Sequence, residues 1–119
     1  MNQRTVLVVD DDPQVLRLVE KMLKPRNVKV LVAPRPADAL AICESETVHL
    51  LISDLAMPEM DGRKLAERVL ERHPDSAVLL ISGRYPEPAS ARNGRFRFLR
   101  KPFFPGELVE HLKALLPEP

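Results

Sequence analysis

The sequence has a single cysteine, Cys43, and no tryptophan. One cysteine excludes an internal disulfide and is typical of a protein in a reducing compartment. The longest apolar runs are only about five residues, far short of the roughly 18–20 that a membrane-spanning helix needs. The amino-terminal stretch MNQRTVLVVDDD lacks the apolar segment and cleavage site of a signal peptide. The sequence therefore predicts a cytoplasmic protein and excludes the secreted and membrane-spanning classes.

Neither sign of charge predominates in the sequence. It has 18 Lys and Arg residues and 17 Asp and Glu residues, which give a formal net charge of +1. A near-neutral chain lacks the field that draws a basic protein to nucleic acid or to an anionic membrane. We therefore expect no direct nucleic-acid or membrane partner. The 119 residues, 45% of them apolar and 29% charged, fit one globular domain spanning residues 1–119.

Proline is the residue in excess, with 12 copies, about twice the usual share. The prolines lie between periodic stretches, so they punctuate many short elements. Apolar, β-branched stretches predict strands at Thr5–Val9, Val28–Val32, Val48–Ser53, Ala77–Ile81 and Phe96–Arg100. Apolar residues at helical spacing lie between or after these strands, beginning at Pro13, at Pro36, near Leu65 and at Pro105. Alternating strands and helices with short connections predict a doubly wound α/β domain with a five-stranded parallel sheet.

Polar side chains follow four of the five predicted strands, at the end where a parallel sheet forms its ligand sites. Asp10 and Asp11 follow the first strand and Asp54 follows the third. Ser82 follows the fourth strand, and Lys101 follows the fifth. Three carboxylates, a hydroxyl and an ammonium group are thus expected to converge at one edge of the sheet.

Crowded carboxylates repel one another and need a cation nearby. Oxygen ligands select a hard ion, and one or two carboxylates together with water are the pattern for Mg²⁺. Beside such an ion, Asp54 could act as a nucleophile toward a phosphoryl group. Ser82 and Lys101 could then bind the remaining oxygens of that group.

This arrangement resembles the receiver domain of two-component response regulators, a flavodoxin-like, CheY-like fold. The resemblance extends from Thr5 to Leu116 and rests on VLVVDDD (6–12), LLISDLAMPEMDG (50–62), LLISG (79–83) and RKPF (100–103). It implies that Asp54 accepts a phosphoryl group from a phosphohistidine of a histidine kinase or phosphotransfer protein. It also implies that Mg²⁺ is held by Asp10, Asp11, Asp54 and the backbone carbonyl of Ala56.

The resemblance implies a switch as well as an acceptor. Ser82 and Lys101 match the residues that bind phosphoryl oxygens in this family. Phe98 matches the aromatic residue that reorients when the hydroxyl moves inward, which alters the outer face for an unknown downstream protein. The peptide bond before Pro102 matches one that is cis in the family, where proline lowers the cost of that isomer.

Two features depart from the family pattern. The stretch between Ser82 and Lys101 is shorter than usual and contains Pro86 and Pro88. Proline disfavours a helix interior, so the helix between the fourth and fifth strands is predicted to be short or missing. This shortened form is most similar to receivers attached to hybrid sensor histidine kinases. Phe104 also stands where a Ser or Thr cap before the last helix would be expected.

Several residues near the expected site have structural interpretations. Asp12 is predicted to cap the first helix rather than to bind metal, and Asp61 to cap the third. Gly62, like Met57 and Pro58, is expected to shape its loop. The ends of the sequence suit either a single-domain regulator or a receiver from a longer chain.

Two other functions remain open at this stage. A pseudo-receiver would bind partners without being phosphorylated, and the intact acidic pair and Lys101 argue against it. A phosphatase of the haloacid dehalogenase type would also use an Asp nucleophile with Mg²⁺. Such enzymes place a second acid two positions after a nucleophile that follows the first strand. Here Ala56 occupies that position, and Asp54 follows the third strand.

Overall fold

The structure, a computed structural model, describes residues 3–83 and 95–116. Its strands are β1 (Thr5–Val9), β2 (Lys29–Ala33), β3 (Leu50–Asp54), β4 (Ala77–Ser82) and β5 (Phe96–Arg100). Its α-helices are α1 (Pro13–Leu23), α2 (Pro36–Ser45), α3 (Gly62–Arg72) and α4 (Pro105–Leu115), with a 3₁₀ turn at Lys24–Arg26. The predicted short or missing helix between the fourth and fifth strands lies outside the described residues.

The five strands form one parallel sheet in the order β2-β1-β3-β4-β5. The chain starts in the middle, winds to β2 at one edge and then returns past β1 to β3. Strand order therefore reverses between β1 and β3, and ligand sites form at the carboxyl ends of strands beside such a reversal. The predicted doubly wound α/β fold is confirmed.

Apolar side chains on alternating strand positions fill both faces of the sheet. On one face, Val6 and Val8 of β1 lie in a core with residues of α1 and α4; we name this the α1/α4 core. On the other face, Leu7 and Val9 lie in a core with residues of α2 and α3, the α2/α3 core. Helices on both faces explain why β1 is buried at every position.

Side-chain caps determine where two of the helices begin. The Asp12 carboxylate accepts a hydrogen bond from the Gln14 amide at 2.9 Å, and the Asp61 carboxylate accepts one from the Lys64 amide at 2.8 Å. Both predicted caps are therefore confirmed, and each satisfies an amide that the first helical turn leaves unpaired.

The last helix starts without a hydroxyl cap, as predicted. Phe104 occupies the N-cap position, and the Glu107 carboxylate instead accepts a hydrogen bond from the Phe104 amide at 2.8 Å.

Among residues 3–83 and 95–116, no helix has the length and apolar content needed to cross a bilayer.

Three strands end later than the apolar pattern predicts. β2 ends at Ala33 rather than Val32, β3 at Asp54 rather than Ser53, and β4 at Ser82 rather than Ile81. The pairing of neighbouring strands decides these ends, since Asp54 pairs with Ile81. Hydrophobicity alone could not locate them, because two of the three terminal residues are polar. The predicted starts of β2 at Val28 and of β3 at Val48 are also wrong, since these strands begin at Lys29 and Leu50.

Candidate functional site

A cleft of about 570 Å³ opens beyond the carboxyl ends of the strands. The residues that line it come from the segments after β1, β3, β4 and β5, and they are Asp10, Asp11, Asp12, Asp54, Leu55, Ala56, Met57, Pro58, Asp61, Ser82, Gly83 and Lys101. The structure thus brings together all the residues predicted to hold metal or phosphoryl oxygens.

Asp10 is almost fully buried at the end of β1, with 2% of its surface exposed. One carboxylate oxygen, Oδ1, accepts a hydrogen bond from the Asp12 amide at 2.9 Å. The other, Oδ2, accepts one from Lys101 Nζ at 3.0 Å. Burial raises the pKa of Asp10, while the Asp12 amide and the Lys101 ammonium oppose that rise.

Asp54 is the last residue of β3 and is 8% exposed. Its Oδ1 lies 3.8 Å from Lys101 Nζ and accepts a long hydrogen bond of 3.4 Å from the Ala56 amide. Burial is the main reason that the pKa of Asp54 is raised, and the negative charge of Asp10 adds to the effect. Both effects raise the pKa, and the positive charge of Lys101 opposes them.

The chemistry of the oxygen donors fits a divalent cation. One carboxylate oxygen from each of Asp10, Asp11 and Asp54 lies within 4.8 Å of the others, with Asp11 exposed and the other two buried. Lys101 is the cation paired with two of these three acids. Mg²⁺ prefers oxygen ligands and usually retains several waters. The three carboxylates supply the oxygen ligands, and the exposed position of Asp11 gives water access to the site.

Ser82 and Lys101 lie side by side at the ends of β4 and β5. Ser82 is 1% exposed, and its backbone oxygen accepts a hydrogen bond from the Lys101 amide at 3.0 Å. The peptide bond between Lys101 and Pro102 is cis. Both residues line the cleft with Asp54, and Lys101 Nζ lies 3.8 Å from Asp54 Oδ1.

Phe98 lies apart from these groups, because it packs against the α2/α3 core and does not line the cleft. It is half-buried on the edge strand β5. The Arg100 guanidinium lies 5.5 Å from the centre of its ring, a cation–π distance.

The backbone around Asp54 is fixed by three hydrogen bonds. Ser53 Oγ donates to the Asp54 carbonyl at 3.0 Å, and the Leu55 amide donates to the Ile81 carbonyl at 2.8 Å. The Gly62 amide donates to the Leu55 carbonyl, also at 2.8 Å. Sequence reasoning missed Ser53 because its partner is a backbone atom. The sequence predicts only a loop role for Gly62, because nothing local distinguishes it from Gly106, a glycine with open space around it at the start of another helix.

A second depression, of about 620 Å³, lies at the carboxyl-terminal ends of α2 and α3. Its polar groups already serve the fold: His73 Nε2 lies 3.0 Å from the Cys43 carbonyl oxygen, and the Arg72 guanidinium donates to the Glu44 carbonyl at 3.5 Å. Its acidic and basic side chains are mixed, so no common ligand chemistry results. We therefore place the functional chemistry in the cleft of Asp10 and Asp54.

Similarity to known proteins identifies the family to which the chain belongs. The family model described as the response regulator receiver domain matches residues 6–113. A relative described as an uncharacterized 14.6 kDa protein of Leptolyngbya boryana is 40% identical over 112 residues, which cover 90% of this chain and 86% of that one. The sensor kinase CckA of Brucella abortus is 37% identical over 118 residues.

That match to CckA covers 94% of this chain but only 12% of the kinase, so this chain corresponds to a small part of it. A solved receiver domain from a hybrid histidine kinase CckA superposes with a TM-score of 0.79 at 32% identity, covering 93% of this chain and 98% of that domain. The similarity to a hybrid-kinase receiver is thus confirmed in both sequence and structure. The chain belongs to the response regulator receiver domain family.

Proposed function

We propose that Asp54 accepts a phosphoryl group from a phosphohistidine of a histidine kinase or phosphotransfer protein, in a Mg²⁺-dependent step of a phosphorelay. The observation that carries this proposal is the cluster of three carboxylate oxygens within 4.8 Å of one another. Asp10, Asp11, Asp54 and the Ala56 carbonyl would hold the ion. Residues 1–119 act as one receiver domain in this proposal, with a cytoplasmic location and no direct contact to nucleic acid or membrane.

In the transfer step, a carboxylate oxygen of Asp54 attacks phosphorus in line with the bond to the donor imidazole. A P–O bond forms as the P–N bond breaks. The electron pair stays on the imidazole, which leaves neutral because its other nitrogen carries a proton. Bound Mg²⁺ would neutralise charge on the transferring oxygens. The positioned carboxylate and its electrostatic surroundings supply the remaining catalysis.

Ser82 and Lys101 receive the phosphoryl oxygens in this proposal. Lys101 Nζ already lies between Asp10 and Asp54, at 3.0 Å and 3.8 Å, so a small movement would take it to an anion on Asp54. The Ser82 hydroxyl would move toward the same group. Phe98 would then reorient on β5 and change the surface offered to a downstream protein.

The test is labelling by acetyl phosphate, or by a phosphorylated phosphotransfer protein, with and without Mg²⁺. We expect label only with Mg²⁺, and we expect Asp54→Asn to abolish it because an amide cannot form the acyl phosphate. The label should be released by alkali, as an acyl phosphate is. Alkali-stable label that persists in Asp54→Asn would contradict the proposal by locating phosphate on a hydroxyl.

A further inference from the structure

Gly62, the first residue of α3, leaves no room for a side chain. A Cβ built there would lie 2.3 Å from the Asp54 carbonyl oxygen and 3.0 Å from both the Asp54 carbonyl carbon and Leu55 Cα. Real Cβ atoms essentially never approach closer than 3.0 Å. The described glycines have no positive φ, so the requirement at Gly62 is for space rather than for backbone freedom.

Backbone atoms form the obstacle, so no side-chain rotation could relieve it. The Asp54 carbonyl is held by the Ser53 hydroxyl at 3.0 Å, and the next peptide is held to β4 by the bond from the Leu55 amide to the Ile81 carbonyl at 2.8 Å. On the other side, Gly62 belongs to a helix anchored by fully buried Leu65. A methyl group would therefore force the end of β3 and the start of α3 apart.

We infer that Gly62 is a positioning residue for the phosphoacceptor. Because it has no side chain, α3 can pack closely against the main chain of Asp54 and hold it in position. This inference rests on the proposed function and adds to it a residue outside the ligand set. Relief of the clash needs a displacement of at least about 0.7 Å, the difference between the 2.3 Å contact and the 3.0 Å limit. Misplacement of a reacting group by about 1 Å can cost on the order of 10²-fold in rate.

The chain offers a matched control at Gly106, near the start of α4. A Cβ there would meet nothing within 4 Å, and Gly106 is exposed and does not line the cleft. Gly62→Ala and Gly106→Ala make the same chemical change in the first turn of a helix. They differ in whether the added methyl group meets the backbone of Asp54.

The experiment compares both variants with the parent at a temperature where urea titration shows each protein to be folded. Calorimetry gives the Mg²⁺ dissociation constant, and labelling by acetyl phosphate gives the maximal rate and the half-saturating concentration. For Gly62→Ala we expect Mg²⁺ binding at least about tenfold weaker and a maximal rate lower by on the order of 10²-fold, with half-saturation by acetyl phosphate little changed. Gly106→Ala should match the parent within about twofold.

A purely structural role would lower the stability of Gly62→Ala without changing the Mg²⁺ affinity of its folded form. Folded Gly62→Ala that binds Mg²⁺ and is labelled like the parent would overturn the inference and leave the proposed function standing. A parent that is not labelled with Mg²⁺ would overturn both.

Ser53→Ala keeps the inference testable if Gly62→Ala does not fold. This variant removes the hydrogen bond to the Asp54 carbonyl and adds no atoms. We expect a smaller change in the same direction, about threefold to tenfold in maximal labelling rate. Unchanged labelling and Mg²⁺ affinity in Ser53→Ala would overturn the claim that the position of the Asp54 backbone limits the reaction.

Discussion

The Lys101 ammonium group would compete with a bound cation for the carboxylates of Asp10 and Asp54. Its Nζ lies 3.0 Å from Asp10 and 3.8 Å from Asp54, so it partly neutralises the two buried carboxylates. The same ammonium group repels a metal ion that approaches them. In the proposed function it also binds a phosphoryl oxygen after transfer. A single side chain therefore opposes metal binding and supports the response to phosphorylation.

We predict that Lys101→Ala binds Mg²⁺ at least as tightly as the parent but does not convert phosphorylation into a conformational change. Removing the ammonium group removes repulsion from the metal site and a contact to phosphoryl oxygens. Calorimetry measures the affinity, and amide NMR shifts on adding beryllofluoride, a phosphoryl mimic, measure the response. Lys64→Ala, an exposed change on α3, is the control. A full NMR response in Lys101→Ala would refute the assignment.

At the scale of elements, α4 is tied to the edge strand β5 by a polar pair beside its apolar contacts. Arg97 Nε donates a hydrogen bond to His111 Nδ1 at 2.8 Å. That bond requires Nδ1 without a proton. Burial lowers the pKa of His111, and the Arg97 charge lowers it further, whereas Glu110 and Glu107 oppose the effect.

We predict that this pair makes the contact between α4 and β5 sensitive to acid. Because the pKa of His111 is lower in the folded chain than its ordinary value of 6.5, the folded state favours the neutral ring. The stabilisation is present above that ordinary value and is lost as the pH falls through the folded-state pKa. His111→Gln keeps an oxygen acceptor for Arg97 but does not titrate.

Urea unfolding at pH 7.5 and pH 5 measures this effect. Between these two values, the parent should lose more free energy of unfolding than His111→Gln, by about 1 kcal/mol, the usual net value of one hydrogen bond. An equal loss in the two proteins would show that protonation of His111 is not coupled to folding.

At the scale of the whole molecule, the acidic cleft joins segments that are far apart in the chain. Asp10 and Lys101 are separated by 91 positions, and Asp54 lies between them on β3. Like charges packed at this edge oppose folding, whereas a cation that binds only the folded cluster favours it. The melting temperature of the whole domain should therefore rise when a cation binds the site.

We predict that Asp54→Asn raises the melting temperature of the metal-free protein by a few degrees, because an amide removes one buried negative charge. Saturating Mg²⁺ should raise the melting temperature of the parent, and the variant should respond much less. Thermal unfolding with and without Mg²⁺ makes both comparisons. Asp38→Asn, at a surface ion pair on α2, should behave like the parent. An equal Mg²⁺ response in Asp54→Asn would place the ion elsewhere.

The sequence by itself determined the kind and order of the strands and α-helices that the structure describes. Thr5–Val9 and Phe96–Arg100 were located to the residue because their side-chain patterns are local. The caps of α1 and α3 were predictable for the same reason, since Asp12 and Asp61 bond amides only two or three residues away. The acidic edge also followed from the sequence, because parallel strands with polar ends must bring those ends together.

Only the tertiary structure decided the contacts between distant segments. It showed that Lys101 pairs more closely with Asp10 than with Asp54, that His111 accepts from Arg97, and that β3 extends to Asp54. It also showed that Gly62 has no room for a side chain, because a Cβ built there would lie 2.3 Å from the Asp54 carbonyl oxygen. Such distances depend on strand register and helix packing across the whole sheet, and no local pattern in the sequence encodes them.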